Sequence, residues 1–466
     1  MKKSLAVTLV ALFVLAVSFA MVPKKANAIP AFAQKYHFSC AVCHTVFPNL
    51  NPFGRAFWRN GFRLPGTNGT PADATQIANG LSLPNPWPIP IVLEAQVFYQ
   101  HVTNENVLPV KGSKKTDSFN VKDNLVVGGA TKLYTPLADS LSFYANYGET
   151  NGGGLTGSVW ASLNGIGSGF GLAPHLFNLK MGMVTTASPY FYRQQPFSGG
   201  FVEGPTINGQ GLTVGADGEG GLLIHNPYPG IALYGTPGYH LWYKVTMTND
   251  AGSPANTPAT TATTPAQASN AMEYSYQLKE YLPTSAGQLE FGYYGASIAE
   301  PISNPGTYGS FTDGIQVNGV DLDLANDVYE LGLTYMEQHD SNPYNDVFNG
   351  TSYHNTNGYN TFEVYGRYLF PTLLGHGAML VADFSTYSWQ HKQTEEAFNG
   401  TLNTSCSNGN LYETGAYGPN CNEGIKDAFD LFGDLNLAYN AHLYAGYIFT
   451  NKSQDDMFRT GLYFAF

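Results

Sequence analysis

The sequence predicts a mainly β protein: a transmembrane antiparallel barrel of about 16 strands, or 18 if residues 205–228 add a pair. A small N-terminal helical segment is expected inside its lumen. Three observations point there. The chain is poor in charge and rich in Gly, Tyr and Phe, its long part alternates apolar and polar residues with period 2, and it ends on an alternating strand whose last residue is Phe466.

Charged residues make up 12% of the chain, against about 25% in ordinary soluble domains. There are 31 Tyr, 29 Phe and 52 Gly, a composition that suits a sheet with one face in lipid. After the first residues, no stretch reaches the roughly 18 consecutive apolar residues of a membrane helix. A chain of this kind that spans a membrane does so as a closed barrel, because only helices and closed barrels satisfy every backbone group in lipid.

Residues 1–28 read as a signal peptide: Lys2 and Lys3, an apolar run, and the small-residue ending "ANA" at Ala28. The mature chain is expected to begin at Ile29 and leave the cytoplasm; an uncleaved anchor is the alternative. Loss of Lys2, Lys3, Lys24 and Lys25 takes the formal charge from −12 to −16. That balance excludes nucleic acid as a partner class and favours cations.

Residues 29–88 form the next unit. Cys40, Cys43 and His44 spell C-x-x-C-H, the attachment signature of one covalent haem c, with His44 as the axial iron ligand. A disulfide or half of a zinc site is the alternative, although no second Cys pair lies nearby. The stretch "NPFGRAFWRNG" predicts a short helix with Asn51 as N-cap, Pro52 first in the helix and Gly61 just past its end. Phe53 and Phe57 then share one face, to pack on a porphyrin or on a barrel wall. Arg55 and Arg59 share another, either as partners for haem propionates or as a solvated basic face. For the second axial position, His37 is too close in sequence, Met181 and Met183 read as lipid-facing, and His101 is the nearest candidate by sequence; a surface role for His101 and a five-coordinate iron stay open. About 60 residues make a small independent cytochrome, so this segment is expected to borrow its packing from the barrel.

Residues 89–466 form the barrel. Met272, Tyr274, Tyr276 and Leu278 alternate with Glu273, Ser275, Gln277 and Lys279; Phe362, Val364, Tyr368 and Phe370 with Thr361, Glu363, Tyr365 and Arg367; Phe429, Leu431, Leu435 and Leu437 with Asp430, Asp434 and Asn436. The apolar set suits lipid and the polar set a lumen. Short connections at 135–139, 283–288 and 371–376 contrast with long polar ones at 104–122, 250–268, 339–358 and 391–424. Cys406 and Cys421 flank one long connection and are expected to pair after export, worth up to about 3 kcal/mol; free thiols are the alternative. In the last strand Phe458, Thr460, Leu462, Phe464 and Phe466 share a face, which resembles the insertion signal of bacterial outer-membrane proteins.

The segment "AFAQKYHFSCAVCHTVFPNLNPFGRAFWRNGF" resembles the N-terminus of the fused outer-membrane cytochrome–porins of iron-oxidising bacteria. The matching positions are Phe32, Lys35, Tyr36, Cys40, Cys43, His44, Phe47, Pro48, Leu50, Asn51, Phe53, Gly54, Arg55, Phe57, Asn60 and Gly61, about a tenth of the chain. The resemblance implies a bacterial outer-membrane protein with both termini periplasmic. It implies an Fe(II) oxidase that takes electrons from extracellular Fe(II) and passes them through one haem to a periplasmic cytochrome c or copper protein. Two other readings remain: a diffusion porin plugged by its haem segment, and an outward electron conduit, for which a single haem motif is few.

Overall fold

Sixteen strands close into one antiparallel barrel in the computed structural model. The model describes residues 38, 42–46, 49–63, 74–78, 81–84, 91–102, 116–133, 135–150, 156–185, 206–207, 210–211, 227–238, 240–249, 272–304, 309–340, 347–348, 351–352, 357–373, 376–389, 427–438, 441–450 and 456–465. The signal peptide, Cys40, Cys406 and Cys421 lie outside these residues.

In chain order the barrel strands are β1 (Ile91–Val102), β2 (Thr116–Lys132), β3 (Ser140–Thr150), β4 (Thr156–Asn164), β5 (Asn178–Thr185), β6 (Pro227–Gly235), β7 (Leu241–Asn249) and β8 (Met272–Thr284). They continue as β9 (Gly287–Asn304), β10 (Gly309–Ala325), β11 (Tyr329–Asp340), β12 (Asn357–Leu373), β13 (His376–Trp389), β14 (Asp427–Ala438), β15 (Ala441–Thr450) and β16 (Met457–Ala465). Each pairs with its sequence neighbour, and β16 closes on β1, with Ala465 opposite Glu94 and Met457 opposite Val102. Among its described residues, the segment 205–228 adds no further pair of barrel strands; Pro227 and Tyr228 open β6. Thr206–Ile207 and Gln210–Gly211 form a separate two-residue ladder, so the count is 16. Residues 116–122, expected in a long connection, belong to β2.

The predicted alternation is the inside–outside alternation of the barrel. Glu273, Ser275, Gln277 and Lys279 are buried toward the lumen while Tyr274 and Leu278 are exposed outside. Thr361, Glu363, Tyr365 and Arg367 are buried against exposed Val364, Tyr368 and Phe370, and Asp430 and Asp434 against Phe429, Leu431 and Leu437. An apolar exterior around a charged interior is the inverse of a soluble protein and is the surface of a barrel built to stand in a bilayer. No described helix is long and apolar enough to cross a membrane, which says nothing about crossing by strands.

The two rims differ. The rim that carries the start of β1 and the end of β16 also carries the connections 133–139, 165–177, 236–240, 285–286, 326–328, 374–375 and 439–440. The opposite rim carries 186–226, 250–271, 341–356 and 390–426. They are called the near rim and the far rim below.

Candidate functional site

The described residues 42–46 and 49–63 of the N-terminal segment sit in the near-rim mouth of the barrel. Its one described helix, α1 (Pro52–Arg59), is built as the sequence predicts. The Asn51 side chain caps it by accepting the Gly54 N–H at 2.9 Å, and Pro52 fills the first position, where no N–H is needed. Beyond Arg59 the chain leaves the helix at Gly61, whose φ of +66° suits a residue without Cβ. Phe62 follows with φ +61°, an unusual conformation for a bulky residue. It is held there by Phe62 N–H donating to Phe57 O at 3.0 Å and by ring stacking on Trp160 at 5.6 Å.

Cys43 and His44 of the motif are fastened to the front of this helix. His44–Val46 pairs with Asn49–Leu50, His44 opposite Leu50. Asn51 N–H donates to Cys43 O at 2.9 Å, and Asn51 Nδ2 donates to Val42 O at 3.0 Å. Gly54 is required at this contact, since a Cβ there would run into the Cys43 carbonyl and Leu50. Cys43 and His44 are half-buried, and the His44–Val46 strand lies against β13.

Two unlike faces of α1 meet two unlike walls. On one wall, Arg55 Nη1 lies 2.6 Å from Asp323 Oδ2 on β10 and 3.0 Å from Glu330 Oε1 on β11. Glu330 also pairs with Arg367 on β12. Arg59 holds Glu290 on β9 at 2.8 Å and 3.2 Å through its two terminal nitrogens, and it donates to the Tyr281 hydroxyl on β8. Its guanidinium also lies 5.0 Å from the Tyr281 ring centre. Lys279 bridges Glu290 and Asp321 at 2.8 and 2.9 Å. On the other wall, Phe57, Trp58 and Phe62 pack with Tyr144 on β3 and Trp160 on β4. Gly61 O accepts the Ser142 hydroxyl. Arg63 donates to Asn178 Oδ1 at 2.8 Å and Pro174 O at 3.3 Å. Near it, burial pushes the Asp139 carboxyl above its ordinary value, against the pull of Arg63 and Lys132. Burial, aided by Arg63, lowers His175. Eight helical residues span about 12 Å, and α1 with its tail bridges the mouth from β10–β11 to β3–β5.

These contacts bear on the expectations for the helix and for His101. Arg55 and Arg59 are each 5% exposed and bonded to wall carboxylates, so they do not form a solvated basic face. Burying a guanidinium requires a counter-charge, and the wall supplies it. Phe57 takes the wall-packing alternative, whereas Phe53 is half-buried and meets Phe38 edge-on at 6.1 Å. His101 lies on the same parity of β1 as exposed Ile91, Leu93 and Val97, and its Nδ1 is 2.6 Å from Asp117 Oδ1 on β2. It faces outward, away from the lumen. Sequence reasoning passed over Trp58, Phe62 and Arg63 as anchors, and it did not single out the wall partners Asp323, Glu330 and Glu290. Arg63 lies just past Gly61, beyond the helix being read. Among the described residues no group of three or more His, Cys, Asp or Glu stands placed to hold a bare metal ion.

Cys43 and His44 fit a covalent haem. Cys43 and His44 are consecutive, half-buried and carried by a ladder tied to α1.

No family model matches the chain, and no curated protein matches it. Among solved structures it is similar to the anion-selective porin from Comamonas acidovorans, with 10% identity and a TM-score of 0.48 over 81% of this chain and 99% of that one. It is also similar to Salmonella typhi OmpF in complex with daunomycin, with 12% identity and a TM-score of 0.47 over 81% and 98%. Vibrio cholerae OmpT with loop L8 deleted gives 10% identity and a TM-score of 0.46 over 81% and 99%. Likeness at this level does not bear on function, and the barrel rests on its own strand pairing. Fold and site together define a class: a sixteen-stranded, porin-like barrel whose near-rim mouth holds its own N-terminal helix.

Proposed function

We propose that the chain is an outer-membrane cytochrome–porin that oxidises extracellular Fe(II) and delivers the electron to a periplasmic cytochrome c or copper protein. The observation that carries this reading is the fastening of Cys43 and His44 to a helix ion-paired to the wall of the barrel mouth. Cys40, Cys43 and His44 would hold one haem c, which supplies a one-electron relay. The barrel's near rim, with both strand termini, faces the periplasm, and the long connections of the far rim face outside, as in barrels of this kind.

The chain's own residues have three tasks. Acidic lumen residues such as Glu363, Asp383 and Asp430, on adjacent strands β12 to β14, favour a cation over an anion. Arg55 and Arg59 fix α1, and with it Cys43 and His44, to the wall. The aromatic packing of Phe57, Trp58 and Phe62 fills the opposite side of the mouth. One-electron transfer leaves Fe(III) and a reduced carrier, makes and breaks no bond, and requires no general acid or base.

The second reading, a diffusion porin plugged by this segment, is favoured by the barrel taken alone. The test is to export the protein with haem maturation, reconstitute it, and add Fe(II) and an oxidised periplasmic carrier. Reduction of the carrier that depends on Cys43 and His44 supports the iron oxidase. Solute flux with a haem that dithionite reduces and Fe(II) does not, at acid and neutral pH, supports the plugged porin.

A further inference from the structure

We propose that His442 is the second axial ligand of the haem held by His44, with Asp434 as its positioning residue. The inference rests on the haem reading above and goes beyond it by naming the group on the opposite face of the iron.

His442 is the second residue of β15, at the near rim, where α1 also sits: Glu330, which binds Arg55, is likewise the second residue of its strand. His442 is 1% exposed, and among the histidines whose side chains are described it is the one that is fully buried. His101 faces outward, and His240 and His339 are exposed. The imidazole is already oriented. Its Nδ1 lies 3.0 Å from Asp434 Oδ1 on β14, and its ring meets Tyr463 on β16 edge-on at 6.4 Å. With the Asp434 carboxylate accepting from Nδ1, Nε2 is the nitrogen left for a ligand bond. That is the arrangement an iron ligand needs, and a carboxylate behind the far nitrogen is the usual support of a ligating histidine.

The wall places its strand close to the motif. The His44–Val46 strand lies against β13, and β14 and β15 follow in order round the barrel. Two strand spacings are about 10 Å, so the strand that carries His442 lies on the same side of the lumen as the strand that His44–Val46 meets, not across from it. Met379 on β13, buried and opposite Asp434 in register, is the competing donor on the same wall.

The test uses the full-length holoprotein in detergent, read by optical and electron paramagnetic resonance spectra of the ferric haem. Haem content is fixed first by the pyridine haemochrome spectrum, and barrel folding by heat-modifiable gel mobility. The expected results are a low-spin wild type, a high-spin His442→Ala variant restored to low spin by added imidazole, and a His442→Met variant that stays six-coordinate with an upward-shifted midpoint potential. Asp434→Asn is expected to leave a low-spin haem with weakened imidazole ligation and a midpoint potential raised by less than in His442→Met. A low-spin His442→Ala spectrum matching wild type overturns the proposal, as does a high-spin wild type or loss of the low-spin signal in Met379→Ala instead. Absence of covalent haem from every variant, wild type included, overturns the haem reading itself and is told apart by the haemochrome spectrum.

Discussion

Replacing Arg55 by Ala tests whether the mouth is held shut by ion pairs. Its Nη1 sits 2.6 Å from Asp323 and 3.0 Å from Glu330, with both carboxylates buried. After the substitution Glu330 keeps Arg367, so the cost falls mainly on Asp323, which loses its ion-pair partner inside the lumen. Leaving one buried partner uncompensated costs about 3–5 kcal/mol. At about 1.4 kcal/mol per tenfold, the ratio of docked to undocked α1 falls by roughly 100- to 4,000-fold. Arg59, still bound to Glu290 and Tyr281, keeps the helix nearby, so the expected result is intermittent opening rather than release. In planar bilayers the wild type should conduct little, Arg55→Ala should show bursts of conductance, and Arg55→Ala with Arg59→Ala should stay open. Adding Asp323→Asn to Arg55→Ala should recover part of the loss, because it removes the uncompensated charge. The barrel ladder is untouched, so heat-modifiable mobility should be that of wild type. Conductance equal to wild type in the double arginine variant would refute the reasoning.

Four further outcomes are expected. Gly54→Ala forces a methyl group into the Cys43 carbonyl; it should cost on the order of 1–3 kcal/mol, seen as protease cleavage of the N-terminal segment at lower temperature. Phe62→Ala removes a ring stacked on Trp160 and should loosen α1 by about 3 kcal/mol, read as higher small-solute flux from proteoliposomes. His101→Ala should leave the haem spectrum unchanged, since the side chain points outward to Asp117. Leu431→Lys, on the exposed face of β14, should destabilise the folded barrel by about 2–4 kcal/mol if that face meets the bilayer interior, measured by urea titration in vesicles; no change would place that face outside lipid.

Local rules were legible in the sequence. Asn51, Pro52 and Gly61 mark the ends of α1 because capping depends on residues within one turn. Glu273 against Tyr274, or Asp430 against Leu431, gives the two faces of a strand because alternation is set by the pleat alone. Contacts between distant parts were not legible. Arg55 reads equally as a propionate partner until Asp323 and Glu330, more than 260 residues away, are brought to it by closure of the barrel. The orientation of His101 was available from a parity count starting at Ile91, yet its pairing with Asp117 depends on the register of β1 and β2. His442 carries no motif at all; only the order of β13, β14 and β15 puts its strand two positions from the one that His44–Val46 meets.

The most direct test of the account is sidedness. Protein reconstituted in one orientation in liposomes would be exposed to Fe(II) on the far-rim side alone, while the haem absorbance is followed and an oxidised cytochrome waits inside. The account predicts prompt haem reduction followed by reduction of the enclosed cytochrome, and loss of both in a His44→Ala variant. Haem that responds to dithionite but not to far-side Fe(II), at acid and neutral pH alike, would contradict it.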